Sequence, residues 1–181
     1  MSPRPKAPPP TAYQRALRRL GRRDHSVAEL RRALLDRGHG PDETEAAIER
    51  LRAERYLDDR GFAERFARSR MVHQGLGRAR VRQGLVQRGV ARTEAEAGIA
   101  GALGEVDERA VLDGLARRYW RLHSSVDPVR RLPRLWAFLL RRGFAARLVH
   151  ERLRTLWPKW RDALEGLSPL EPVELHAGEH E

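Results

Sequence analysis

The chain has 181 residues, with 36 Lys and Arg against 25 Asp and Glu, for a formal charge of +11. That length suits one domain or a few small repeated units, and the charge favours an anionic partner, nucleic acid being the commonest. The absence of cysteine excludes disulfide frameworks, thiolate metal sites and thiol nucleophiles. No apolar run approaches the ~18 residues of a membrane span. The opening MSPRPKAPPP lacks the hydrophobic core of a secretory leader. These features predict a soluble cytoplasmic protein that does not engage membranes. Of the 36 basic residues 34 are Arg, a bias that partly reflects GC-rich coding, so the position of each charge carries more weight than the total.

Taken in chain order, residues 1–10 hold five prolines and read as a disordered arm. Apolar residues then recur in steps of three and four, the helical period. Ala16, Leu17 and Leu20 share one face; Val27, Leu30 and Leu34 follow, then Ile48 and Leu51. Ser26 and Glu29 form a capping box, in which hydroxyl and carboxylate satisfy orphan amides reciprocally. Asp59 is placed as an N-cap, with Asp58 shaping the junction before it, ahead of Phe62, Phe66 and Ala67. Gly75-Leu76-Gly77 reads as a turn, since it lacks the context of a phosphate loop or a dinucleotide fingerprint.

Val81 and Leu85 continue the pattern, and Thr93 with Glu96 reads as a second capping box before Ile99, Leu103 and Val106. Asp107 is the next expected N-cap, leading into Val111, Leu115, Tyr119 and Leu122. Leu132, Leu135, Trp136, Leu139 and Leu140 precede Val149, Leu153 and Leu156. The aromatics Tyr119, Trp120, Trp136, Phe138 and Trp157 are expected in a core; Trp160, after Pro158, is expected to be partly exposed. From residue 166 onward there are four Glu and no Lys or Arg, an acidic, weakly ordered tail.

Gly38, Gly89 and Gly143 each follow an arginine, as expected at helix C-termini, where glycine permits the left-handed cap and a cation meets the negative dipole end. They also expose a repeat: LLDRGH at 34–39, LVQRGV at 85–90 and LLRRGF at 139–144, separated by 51 and 54 residues. The expected architecture is all-α, three tandem three-helix repeats at 11–58, 59–106 and 107–160, stacked into an elongated curved body and followed by the tail at 161–181.

Four motifs, in order, extend beyond repetition. They are Arg23-Asp24-His25-Ser26 before Glu29-Leu30-Arg31-Arg32; Tyr56-Leu57-Asp58-Asp59 before Phe62-Ala63, Phe66 and Ser69-Arg70; Gly77-Arg78-Ala79-Arg80-Val81-Arg82-Gln83 before Leu85 and Arg88-Gly89-Val90; and Phe138 through Phe144. Over residues 13–157 they resemble the RecX regulatory family. The resemblance implies three tandem three-helix repeats, no catalysis and no cofactor. It implies binding to filaments of the RecA recombinase, restraint of their growth, strand exchange and co-protease activity, and contact with single- and double-stranded DNA. Gly84 departs from the family, which usually carries Glu there, and marks a helix that is either weak or tightly packed.

Arginine forks onto phosphate or carboxylate through two parallel hydrogen bonds. The candidate contacts to RecA or DNA are Arg78, Arg80, Arg82 and Arg88 around Val81 and Leu85. Arg31 and Arg32 are placed at the corresponding position of the first repeat and Arg141 and Arg142 in the third, with Arg68 and Arg70 before the glycine turn. No catalytic residue and no metal ligand is assigned: the Asp58–Asp59 pair reads as capping, and His176 and His180 lack a third ligand. The chain is expected to act as a monomer. The rival reading is a DNA-binding module that acts without RecA, docking a helix in the major groove; an enzyme is disfavoured.

Overall fold

The computed structural model describes residues 9–158, and within them the fold is all-helical. The nine helices are α1 (Ala12–Leu20), α2 (Val27–Leu35), α3 (Pro41–Ala53), α4 (Asp59–Gln74), α5 (Arg78–Val86), α6 (Arg92–Glu105), α7 (Glu108–Leu122), α8 (Pro128–Arg141) and α9 (Ala146–Leu156). The chain divides into two compact units, one built from residues up to Arg68 with Arg82–Glu105, the other from Ser69–Val81 with the chain from Val106 onward. The division falls inside α4 and α5. The arm up to residue 8 and the tail from 159, with Trp160, His176 and His180, lie outside the described residues.

Local chemistry explains the helix starts. The expected capping box is present: Ser26 Oγ accepts from the Glu29 amide at 3.1 Å, and the Glu29 carboxylate accepts from the Ser26 amide at 3.3 Å. Such a cap stabilises by about 1 kcal/mol. Thr11 and Gln14 build another ahead of α1, and Asp107 caps α7 as expected. Two expectations are corrected. The Thr93–Glu96 box does not form, because α6 already begins at Arg92 and the Glu96 carboxylate is held by Arg82. The roles of the aspartates are exchanged: Asp58 accepts from the amides of Arg60 and Gly61, both at 3.0 Å, and so caps α4. Asp59 turns away and accepts the Val27 amide of α2 at 2.9 Å.

Gly38, Gly89 and Gly143 have φ of +83°, +73° and +89°, the left-handed conformation expected after a helix. Gly84 is the tightly packed case, since a Cβ there would stand 3.1 Å from the Phe66 ring. In the first unit α1–α3 close over Ala16, Leu30, Leu34, Ile48 and Leu51. Backbones of α4 and α6 approach so closely that a Cβ on Gly98 would lie 2.5 Å from Ala63 Cβ. In the second unit α7–α9 bury Leu112, Ala116, Leu132, Leu135, Trp136, Leu139, Val149 and Leu153. The aromatics do pack there, with Tyr119 against Phe138 at 5.0 Å and Trp120 against Trp157 at 4.8 Å between ring centroids. Leu122, placed on the apolar stripe by spacing, is instead 70% exposed.

Each unit contains the same junction between a second helix and the Arg-Gly turn of the next repeat motif. In the first, Ser26 Oγ donates to the Arg88 carbonyl at 2.6 Å, with Ala28 against Gly89. In the second, Gly77, at the position 51 residues on from Ser26, donates its amide to the Arg142 carbonyl at 2.9 Å, and the Ala79 amide donates to the Gly143 carbonyl at 3.1 Å. A Cβ on Gly77 would lie 2.5 Å from the Gly143 backbone, and one on Gly89 2.4 Å from Ala28 Cβ. Gly89 and Gly143, which follow α5 and α8, therefore also permit the close approach of the first turns of α2 and α5.

Candidate nucleic-acid interface

An arginine already paired with a carboxylate of its own chain offers phosphate less net charge than one without such a partner. Most of the arginines singled out from sequence are held. Arg31 forks onto Glu45, with Nε–Oε1 at 2.6 Å and Nη2–Oε2 at 2.9 Å, and holds the Glu45 carboxyl below the usual carboxylate range. Arg82 forks in the same way onto Glu96, with Nη2–Oε2 at 3.1 Å. Both pairs span fourteen residues, from a second helix to a third. The corresponding residues of the third repeat are Trp136 and His150, whose rings meet edge to face at 6.1 Å. One staple between helices thus recurs with its chemistry changed from ionic to aromatic. It also corrects the expected equivalence: the counterpart of Arg31 in α8 is Trp136, while Arg141 and Arg142 correspond to Gln87 and Arg88.

Arg78 is tied down most firmly. Its Nη2 and Nε donate to Glu108 Oε2 at 2.6 and 3.1 Å, and its backbone amide donates to Oε1 at 3.1 Å. Glu108 is only 6% exposed, so Arg78 satisfies a carboxylate largely withdrawn from water. Arg68 bridges Glu64 at 3.1 Å and Glu105 at 2.7 Å. Arg88 lies over the Phe66 ring, donates to the Gly84 carbonyl at 2.8 Å and approaches Glu29 at 3.7 Å. Arg142 donates to the Gln74 carbonyl at 2.7 Å and lies over Phe138. Arg70 and Arg80 also have partners. Of the ten candidates only Arg32 and Arg141 are exposed with no ion pair among the described residues.

The unpaired charge lies largely elsewhere. Described residues of the first unit include 17 Arg and 14 carboxylates; those of the second include 15 Arg and 5 carboxylates. All five in the second unit are engaged. Asp107 and Asp127 cap α7 and α8, Glu108 holds Arg78, and Asp113 and Glu151 pair with Arg152 and Arg109. Arg131 is buried and donates to the carbonyls of Ser124 at 2.7 Å and Val126 at 3.0 Å. What remains is a cationic turn near the end of α7, formed by Arg117, Arg118 and Arg121, with Arg130, Arg134 and Arg141 on α8 and Arg147 on α9. All are exposed and without an ion pair among the described residues.

Helical spacing puts Arg118 and Arg121, and likewise Arg117 and Arg121, on adjacent turns of one face. Their place near the C-terminus of α7 is favoured by the helix dipole. Sequence reasoning passed over these residues by following the motif-bearing second helices. The signal was present in the lack of any carboxylate between Asp113 and Asp127.

The comparisons with known proteins agree with the fold. Residues 12–51 match the family model for the first three-helix domain of RecX, and residues 58–99 match that for its second three-helix domain. A protein named Regulatory protein RecX from Halorhodospira halophila is 43% identical over 136 residues, covering 72% of this chain and 79% of that protein. One of the same name from Xanthomonas oryzae pv. oryzae is 37% identical over 144 residues, covering 80% and 88%. Among solved structures, RecX from Lactobacillus salivarius superposes with a TM-score of 0.72 at 19% identity, covering 80% of this chain and 94% of that one, which speaks to the fold alone. Two three-helix domain matches and long alignments well above 30% identity place this chain in the RecX family.

Proposed function

We propose that the chain is a regulator that binds filaments of the RecA recombinase on DNA and restrains their growth, strand exchange and co-protease activity by occupancy, with no reaction catalysed and no cofactor required. It works as a cytoplasmic monomer, built from three-helix repeats at 11–58, 59–106 and 107–160. Family membership supports the partner. The observation that carries the anionic part of the reading is the set of uncompensated arginines Arg117, Arg118 and Arg121, in a unit whose described carboxylates are all engaged. Exposed guanidinium groups near a helix end, without an ion pair among the described residues, suit phosphate oxygens. Arg78 and Arg82, held in carboxylate forks, serve the fold instead.

The same arginines favour one alternative, a module that binds DNA without the recombinase. Binding to a RecA–DNA filament and to naked DNA, compared at one salt concentration, separates the two. A preference for the filament near physiological salt supports the first reading, and equal competition by naked DNA supports the second. Filament length and RecA ATPase, measured with added protein, test the restraint itself. Substoichiometric suppression is expected, and it should weaken when Arg117, Arg118 and Arg121 are replaced by Ala. Suppression unchanged by that triple replacement would remove these residues from the interface.

A further inference from the structure

Beside the cationic turn of α7 lies an open groove of about 640 Å³, wholly within the second unit. Val72, Val111 and Leu115 give it an apolar lining, Gly114 leaves one wall low, and Arg118 and Arg142 stand at its edge. A Cβ on Gly114 would meet nothing within 4 Å. Val72 is 54% exposed, so an apolar surface is open to a ligand that brings both hydrocarbon and negative charge. No described carboxylate of this unit remains to answer Arg118.

The chain itself carries such a ligand. It leaves α9 at Leu156, within this same unit. The stretch 167–175, LSPLEPVEL, follows eleven residues later and sets Leu167, Leu170, Val173 and Leu175 around Glu171 and Glu174. Eleven residues span up to about 35 Å when extended, more than the ~22 Å length of a fifteen-residue helix such as α7. The groove is therefore within reach. From residue 166 the sequence has four Glu and no basic residue, the opposite sign to the α7 turn.

We propose that the segment 167–175 docks in this groove of its own chain, with Leu and Val side chains on Val72, Val111 and Leu115 and with Glu171 and Glu174 on the Arg117–Arg118–Arg121 turn. The segment thereby competes with nucleic-acid phosphate for those arginines. The proposal rests on reading the α7 arginines as phosphate contacts. It makes the tail a built-in anion that an incoming polyanion must displace, and binding becomes weaker and more salt-dependent than the arginines alone would give.

Because the chain has no cysteine, a pair can be introduced cleanly. The full-length G114C/V173C variant is oxidised under mild conditions beside G104C/V173C. Gly104 is likewise an exposed helical glycine with open space around it, but it lies in the other unit. The proposal predicts an intramolecular disulfide at least tenfold faster for the first pair. The rate should fall when Glu171 and Glu174 become Gln, and fall again when a dT20 oligonucleotide is added. Equal rates for the two pairs, or a disulfide that forms only between molecules, overturn the docking. A fast pair that ignores an oligonucleotide bound by the protein overturns the competition. If dT20 does not bind even the E171Q/E174Q chain, the phosphate reading fails while the docking stands. Independently, E171Q/E174Q should tighten dT20 binding three- to tenfold, and an unchanged affinity counts against the proposal.

Discussion

The two units differ more in charge than in architecture. Both are helical, and both contain a junction in which the start of a second helix seats on the next Arg-Gly turn. Yet the first unit has 17 Arg against 14 carboxylates among its described residues and the second 15 against 5. In the first, arginine is used to hold helices together, as Arg31 with Glu45 and Arg68 with Glu105. In the second, an aromatic contact takes over one of these staples, as Trp136 with His150, while Arg78, Arg109 and Arg152 still join helices through Glu108, Glu151 and Asp113. Exposed arginines without an ion pair among the described residues occur in the first unit too, Arg18, Arg22, Arg37 and Arg60 among them, so it is the shortage of carboxylates that sets the second unit apart.

The largest expected effect bears on what the units share. Gly77→Val and Gly89→Val should each destabilise their own junction by about 3 kcal/mol or more, since both place a side chain within 2.5 Å of neighbouring atoms and Gly89 is also left-handed. Chemical denaturation measures this, and a mild effect at one site alone would show that the two junctions are not equivalent. Next comes Arg78→Ala, which leaves the buried Glu108 carboxylate with only the backbone amide. A loss of about 2 kcal/mol is expected, discounted from the full cost of an unpaired buried charge because Arg78 itself is half exposed. A neutral result would move Arg78 back among the binding candidates.

Arg31→Ala and Arg82→Ala should cost less, about 0.5 kcal/mol each, as expected of largely solvated pairs, and should leave DNA affinity nearly unchanged. The smallest effect is a pH dependence confined to the first unit. Burial of His25, with Arg23 and Arg19 nearby, lowers its pKa below the ordinary value of 6.5. The folded state then takes up the proton less readily than the unfolded chain, so His25 makes stability fall as pH drops below about 6.5. Thermal denaturation from pH 7.5 to 5.5 should show that slope, and His25→Asn should flatten it.

Helix periodicity, the Ser26–Glu29 box, the Asp107 cap and the three left-handed glycines were legible in the sequence because each depends on neighbours within a turn. The misassignments share one cause, a partner distant in the chain. Asp59 looked like a cap, but the Val27 amide, 32 residues away, claims it. Glu96 looked like half of a capping box, but Arg82 on the preceding helix claims it. The pairing of Arg78 with Glu108, thirty residues on, was equally beyond the reach of local reasoning. The free turn of α7 was legible only as a gap in the acidic residues, and its significance emerged once the carboxylates of its unit had been traced to their partners.

The salt dependence of single-stranded DNA binding tests the central claim most directly. Each phosphate contact contributes about 0.7 to the slope of log affinity against log salt for a single strand. Replacing Arg117, Arg118 and Arg121 by Ala should therefore lower that slope by about 2, whereas replacing Arg31, Arg68 and Arg82 should leave it unchanged. A slope that falls equally with the second set, or does not fall with the first, would contradict the assignment of the α7 arginines to binding and of the carboxylate-paired arginines to structure.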